Sequence, residues 1–388
     1  MRPHVPSMPL RRLTLLTALL HLYLALRLVP ALAPWWPAGA ALAAALAASA
    51  VLVPLPFLRS DLGAQRGGRV LQWAGLVAMG WFSSLMLLAL LRDGGLLVAW
   101  VAGGKDGDRL ASLSAAAVVV GAVLASLVGL ANARRTARVR RIDIALPGLP
   151  PAWDGFTIAQ LSDLHVGPTI RRGYVQRIVD RVNALQADAV AITGDLVDGS
   201  VPELRAHVAP LAGLHSRHGV FVVTGNHEYY AGARPWIAEL RRLGLSVLLN
   251  EHVVLQRPAP DGLGDPGLVI AGVTDFHAGH FDRSQASDPV QAIAGAPAGA
   301  PRILLAHQPR SAPAVAAAGC QLQLSGHTHG GQFWPWNLFV PMQQPFVSGL
   351  HRVGALQVYV SRGTGYWGPP KRLGAPSEIT LVRLRAAA

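Results

Sequence analysis

Uninterrupted apolar stretches fill the first third of this chain, and no other feature restricts its fold as strongly. A helix needs about 20 such residues to cross the hydrocarbon core of a bilayer. Four stretches qualify, at 13–33, 38–58, 70–91 and 111–131, separated by polar breaks at 34–37, 59–69 and 92–109. The patch at 96–101 is too short to cross and is expected at the membrane interface. Hydrocarbon offers no partner to a free backbone N–H or C=O, so these stretches are confined to helices. The first contains His21 and Arg27, both costly in lipid. Arg27 is expected either to snorkel or to pack against a neighbouring helix.

The net charge of +13 is almost wholly arginine, since lysine occurs only as Lys105 and Lys371. Arg11 and Arg12 precede the first stretch. Arg59, Arg66 and Arg69 lie between the second and third, and Arg134, Arg135, Arg138, Arg140 and Arg141 follow the fourth. With four crossings all three clusters fall on one side. The positive-inside rule makes that side cytoplasmic, for a multi-pass protein of the cell (inner) membrane. Anionic lipid headgroups account for such clustering, so no nucleic-acid partner is expected. Export is the competing reading: Arg11-Arg12-Leu13 and Ala31-Leu32-Ala33 look like a twin-arginine signal and its cleavage site, although Pro34 disfavours cleavage. Cys320 is the single cysteine, which rules out an intrachain disulfide framework and a thiolate-rich zinc site. Its neighbours Leu322 and Leu324 mark it as a small core residue.

Three segments follow from this texture: a helical membrane region at 1–131, a basic juxtamembrane linker and domain entry at 132–155, and a mixed α/β domain at 156–388. In the last, short apolar runs at 156–161, 189–193, 220–224, 268–273, 303–306, 322–325, 356–361 and 379–384 read as buried strands. Between them, Tyr174, Val175, Ile178, Val179, Val182 and Leu185 recur at helical spacing. So do Trp236, Ile237 and Leu240 within 235–243.

Polar metal-ligand residue types fall immediately after five of those strands, where open α/β sheets place their ligands. Asp163 and His165 follow the first strand, and Asp195 and Asp198 the second. Asn226, His227 and Glu228 follow the third, His307 the fifth, and His327 and His329 the sixth. In an extended backbone, residues two apart share a side, so Asp-x-His and His-x-His each present two ligands to one cluster. Carboxylate oxygen with imidazole nitrogen, and no sulfur, suits Mn, Fe or Zn.

In this ordered set the sequence resembles the calcineurin-like metallophosphoesterase superfamily, whose pattern is D-x-H, G-D-x-x-D, G-N-H-[ED], H and G-H-x-H. All five blocks occur between Asp163 and His329. Gly330-Gly331-Gln332, Val360-Ser361-Arg362-Gly363 and Pro376-Ser377-Glu378-Ile379 look like its membrane-associated bacterial phosphodiesterase branch. The resemblance implies an αββα sandwich with two mixed sheets and two divalent metal ions. Asp163, His165, Asp195 and His329 would hold one ion; Asp195, Asn226, His307 and His327 would hold the other. His227 would be catalytic, stabilising the transition state or protonating the leaving group, and Arg362 would bind substrate. The implied reaction is hydrolysis of a phosphodiester or pyrophosphate bond by metal-activated hydroxide, in a lipid-linked or nucleotide-linked envelope substrate. A broad phosphomonoesterase or nuclease is the enzymatic alternative, and a membrane sensor with a degenerate site the non-enzymatic one.

Several neighbours stay open on sequence alone. Asp198 either orients a ligand or caps a helix, and Glu228 either supports His227 or is an exposed loop acid. Asp275, His277 and His280 either touch substrate or do nothing specific. The run Trp334-Pro335-Trp336-Asn337-Leu338-Phe339-Val340 either meets lipid or packs as a core connection.

Overall fold

The computed structural model describes residues 10–58, 67–103, 107–257 and 267–387. They divide into a helical unit, 10–134 with 368–373, and an α/β unit, 135–367 with 374–387.

In the helical unit, α1 (Leu10–Leu28), α2 (Trp36–Leu52), α3 (Leu55–Leu58), α4 (Gly68–Val101) and α5 (Gly107–Arg134) follow in order. Among the described residues, three segments are long and apolar enough to cross a membrane: Pro30–Phe57, Gly68–Val101 and Gly107–Arg134. The first stretch of the sequence does form α1, but Arg11, Arg12 and Arg27 keep it out of that set, so three such segments stand where four were expected. The expected break at position 92 and the separate patch at 96–101 are also absent, because α4 runs through both as one helix of 34 residues. Side-chain pairing explains the continuity. Arg92 donates from Nη1 to Asp93 (3.0 Å), from Nε to Ser114 Oγ (3.1 Å) and from Nη2 to the Ala111 carbonyl (3.0 Å). Asp93 also accepts from Tyr23 Oη (2.7 Å) and Arg27 Nε (2.8 Å). A charge answered within the bundle gives the helix no reason to stop. Residues 59–66 of the second polar break, with Arg59 and Arg66, lie outside the described residues, as does Lys105.

The α/β unit has two six-stranded mixed sheets. The first contains β1 (Arg138–Leu146), β2 (Thr157–Leu161), β3 (Ala189–Thr193), β4 (Val220–Val223), β5 (Ser246–Val247) and β12 (Glu378–Ala386), in the order β1-β12-β2-β3-β4-β5. The second contains β6 (Glu251–Leu255), β7 (Leu268–Gly272), β8 (Arg302–Leu305), β9 (Leu322–Ser325), β10 (Gly349–Val353) and β11 (Leu356–Val360), in the order β10-β11-β9-β8-β7-β6. In the second, the parallel centre β11-β9-β8-β7 is flanked by antiparallel β10 and β6; in the first, the parallel run β2-β3-β4-β5 meets the parallel pair β1-β12 through one antiparallel pairing, β12 with β2. Every residue of β3, β4, β7 and β11 is buried, which is why these strands read as unbroken apolar runs.

One core lies between the sheets, where Ile158, Ala191, Phe221 and Val382 meet Ile270, Ile303, Leu324 and Tyr359. A second covers the outer face of the β6–β11 sheet and takes in Val269, Leu304, Val315, Val358 and Cys320. Further helices include α6 (Arg172–Asn183), α7 (Val201–Val208), α8 (Asn226–Ala231) and α9 (Ala233–Arg242). Helix α6 buries Tyr174, Val175, Ile178, Val179 and Val182, the face that its spacing predicts.

The expected linker holds a strand. β1 pairs in parallel with β12 over nine positions, Arg138↔Glu378 to Leu146↔Ala386. Its Arg-Val-Arg-Arg-Ile-Asp-Ile sequence hides the strand signal, because an edge strand carries charge on its open face. Arg140 lies 3.7 Å from Glu378, and Arg383 on β12 pairs with Asp143 at 2.7 Å.

Candidate metal centre

Ligand-type side chains gather at the carboxyl ends of five strands, β2, β3 and β4 of one sheet and β8 and β9 of the other. Backbone bonds hold the loops in register: Asp163 N–H donates to Gly194 O (3.0 Å), His165 N–H to Asp195 O (3.0 Å) and Gly326 N–H to His307 O (2.9 Å). Asp163, His165, Asp195, His327 and His329 all adopt left-handed backbone, with φ between 50° and 69°. Each such residue costs about 1 kcal/mol or more. Asp and His tolerate the region better than most residues, and here it turns alternate side chains inward. Close approach also explains two glycines of the motifs. A Cβ on Gly326 would collide with Ser162 Oγ and Asp163 Oδ2, and one on Gly225 with Asp195.

Two sets form. Asp163, His165 and His329 place their ligand atoms within 4.8 Å of one another, and so do Asp195, His307 and His327. Asp195 lies between the sets: Oδ2 is 3.0 Å from His307 Nε2 and 3.8 Å from His165 Nε2. His165, Asp195 and His227 make a third set of the same size.

Hydrogen bonding decides what these atoms are prepared to bind. His165 Nδ1 faces Asp198 Oδ1 at 2.9 Å, and a carboxylate only accepts, so in the neutral ring Nε2 keeps its lone pair. That lone pair meets His329 Nε2 at 3.1 Å. His307 Nδ1 likewise donates to the Thr193 carbonyl (2.7 Å), which leaves its Nε2 facing His327 Nδ1 at 3.1 Å and the Asp195 carboxylate. Asn226 Oδ1 is buried with no hydrogen-bond partner. Two imidazole pairs that meet nitrogen to nitrogen beside buried carboxylates, with an orphaned amide oxygen on the adjoining loop, suit a divalent cation.

A proton is the other charge that answers such convergence, and the titration shifts follow it. Burial opposes charge on His307, yet Asp195 and Asp163 hold its pKa well above the ordinary imidazole range. Burial would also raise Asp195, but His307 and His227 hold it well below the usual carboxylate range. Asp163 goes the other way, pushed up by burial. His327 is lowered to about 3 by burial and the charge on His307, and so stays neutral.

A model of the calcineurin-like phosphoesterase family matches residues 156–331. Bos taurus "Transmembrane protein with metallophosphoesterase domain" is 41% identical over 302 residues, covering 75% of this chain and 68% of that protein. An "Uncharacterized metallophosphoesterase" of Aquifex aeolicus is 31% identical over 250 residues, covering 64% of this chain and 92% of that one. The chain belongs to the calcineurin-like metallophosphoesterases. A Helicobacter pylori relative (strain J99), also an "Uncharacterized metallophosphoesterase", is 40% identical, with 58% of this chain and 59% of that one covered.

For three neighbours of this metallophosphoesterase cluster the sequence leaves two readings open, and the structure discriminates between them for two and departs from both for Glu228. Asp198 is not a helix cap, a role that Ser200 fills for α7 with Glu203. Its Oδ1 instead accepts from His165 Nδ1 (2.9 Å) and His227 Nδ1 (2.7 Å), so one carboxylate orients two imidazoles. Against its burial, those rings bring its pKa down to about 2. Glu228 is neither exposed nor a partner of the His227 ring. It is buried and accepts from three backbone N–H groups, of Gly225 (2.6 Å), Leu196 (2.7 Å) and Asp195 (3.0 Å), tying two motif loops together. Trp334, Trp336, Leu338 and Phe339 are each 46–63% exposed, so the run is not a core connection.

His227, the second residue of α8, sits edge-on to the His165 ring at 4.6 Å and to Trp367 at 5.7 Å. Arg362 lies beside the ligand turn: a Cβ on Gly330 would stand 3.0 Å from Arg362 Cγ. Its Nε reaches Ser348 Oγ at 3.5 Å. Of the sequence candidates, Asp163, His165, Asp195, His227, His307, His327 and His329 converge, Asn226 precedes His227 at the start of α8, and Arg362 borders the His329–Gly331 turn.

Proposed function

We propose that the α/β unit, 135–367 with 374–387, is a hydrolase of phosphoric esters that works with two divalent cations. The observation that carries this reading is the convergence of four imidazoles, met in pairs nitrogen to nitrogen, with the buried Asp163 and Asp195 carboxylates, and beside them the Asn226 Oδ1 that has no partner among the described residues. Asp163, His165, Asp195 and His329 would hold one cation, and Asp195, Asn226, His307 and His327 the other, with Mn, Fe and Zn all compatible with the donors. When bound, such a pair supplies Lewis acidity and makes water a nucleophile near neutral pH.

The chain supplies the rest. Asp198 fixes the His165 and His227 rings, so neither has to reorganise during the reaction. His227 Nδ1 is engaged by Asp198, which leaves Nε2 to serve a leaving oxygen as general acid. Burial lowers its pKa, but Asp195 and Asp198 outweigh that and raise it to about 9. A cation on Asp195 would reduce its share, and Asp198 would remain to favour the protonated ring. Arg362, beside the His329–Gly331 turn, is assigned to substrate phosphate.

A lipid-linked or nucleotide-linked envelope substrate fits the exposed Trp334, Trp336, Leu338 and Phe339, which follow the last ligand block in sequence. Membrane orientation rests on the arginines. Whether or not α1 crosses, segments Pro30–Phe57, Gly68–Val101 and Gly107–Arg134 put the 59–69 and 134–141 clusters on one side. The positive-inside rule makes that side the cytoplasm.

The test is full-length protein purified in detergent, loaded with Mn and assayed on bis(4-nitrophenyl) phosphate. Two metal equivalents and turnover are expected, and Asp195→Asn should bring both metal content and turnover down, the latter to background. An Asp195→Asn protein with unchanged turnover overturns the reading.

A further inference from the structure

Beside the ligand cluster, a chain of side-chain amides has its direction set by a backbone group. Arg310 N–H can only donate, and it meets Gln344 Oε1 at 3.2 Å. Gln344 Nε2 therefore points onward and donates to Gln308 Oε1 (3.0 Å). Gln308 Nε2 then donates to Asp275 Oδ2 (2.9 Å) and to His277 Nδ1 (3.0 Å). Since Nδ1 accepts, the proton of a neutral His277 ring sits on Nε2. Burial, with Arg310 nearby, lowers the pKa of His277 and so keeps the ring neutral.

That Nε2–H faces Arg310 Nη1 at 3.4 Å, a donor against a donor. The guanidinium is held in place, with Nη2 on the Gln343 carbonyl (2.9 Å) and its carbon 5.1 Å from the centre of the Phe276 ring. Among the described residues no carboxylate pairs with it. Asp275 is the carboxylate facing His277, and it is spent elsewhere. It is buried, accepts from His277 N–H (2.8 Å) and Gln308, and comes no nearer the ring than 3.9 Å, at Nδ1. His280, with its ring 5.5 Å from that of His277, adds no negative charge. The inner end of the relay, Gln308, directly follows His307 in the chain.

We propose that His277 and Arg310 form an anion subsite beside the metal-ligand cluster, which takes a second phosphoryl group next to the one that is cleaved. The inference rests on the phosphoesterase reading and narrows its substrates to compounds with two adjacent phosphoryl groups. One anionic oxygen placed between Nε2–H and Nη1–H would answer both donors, one of them charged.

The test compares equilibrium binding of α,β-methylene-ADP and AMP to Mn-loaded, full-length protein. Wild type should bind the two-phosphoryl probe about tenfold or more tightly than AMP, as a charge-assisted bond implies. Arg310→Met should bring the ratio close to one, Arg310→Lys should keep part of it, and His277→Ala should reduce it less than Arg310→Met does. A ratio within one preparation is insensitive to partial unfolding or metal loss. A wild-type ratio of one, or an Arg310→Met ratio equal to wild type, overturns the subsite. Absence of turnover on bis(4-nitrophenyl) phosphate counts against the phosphoesterase reading alone, because the binding ratio needs no turnover.

Discussion

Both units gather polar side chains among apolar ones, and they satisfy them differently. In the helical unit two polar clusters are closed by partners, although the buried Gln72 Oε1 on α4 has none among the described residues. His21 faces the Thr17 carbonyl at 2.7 Å and Ser49 Oγ at 2.9 Å, and Asp93 gathers Tyr23, Arg27 and Arg92. At the strand ends, imidazole nitrogens crowd against one another and against buried carboxylates, and an amide oxygen has no partner among the described residues. Closed clusters stabilise a fold, whereas open ones bear a free-energy cost that a ligand removes. Burial of polar residues therefore does not by itself mark function; the sign of the unmet valence does.

The largest test of that contrast is His227→Ala, expected to lower kcat about 10²–10⁴-fold while metal content and melting temperature stay near wild type. A comparable loss of folded protein would place His227 with the closed clusters. Asp93→Ala should do the reverse. It removes the carboxylate that Tyr23, Arg27 and Arg92 share and should destabilise the helical unit by about 1 kcal/mol, read by thermal unfolding in detergent, with turnover per folded molecule unchanged. An unaltered melting temperature would remove Asp93 from the closed class.

Asp198→Ala sits between the two, since it releases two rings without removing a ligand. Metal affinity should fall about 10–100-fold, and Asp198→Asn should recover part of it. The smallest effect is that of pH. His307 must lose its proton to serve as a ligand, so its raised pKa stabilises the metal-free protein below the unfolded value of 6.5. That contribution disappears as pH rises through the folded value. Metal affinity should therefore climb about tenfold per pH unit while one proton is displaced. A flat profile by titration calorimetry would show that His307 is already neutral.

Much of this was legible before any coordinates. Fully buried parallel strands such as β3 and β4 appear as unbroken Val, Ile and Ala runs, and the ligand blocks stand directly after them. β1, β6 and β10 were not legible, because strands with charged or half-exposed faces carry a weak apolar signal. Helix α4 was misread as broken because its Arg92 and Asp93 look like loop residues until their partners on other helices are known.

Periodicity and spacing alone carried the membrane-helix character of the first third, the α/β class of the remainder and the residue types of the candidate metal centre. Each depends on periodicity or on spacing along one backbone. Only the tertiary structure decided what Asp198, Glu228 and His277 do. Their partners lie some 30 positions away in most cases, and hydrogen-bond direction is a property of the assembled network, not of any local run of residues.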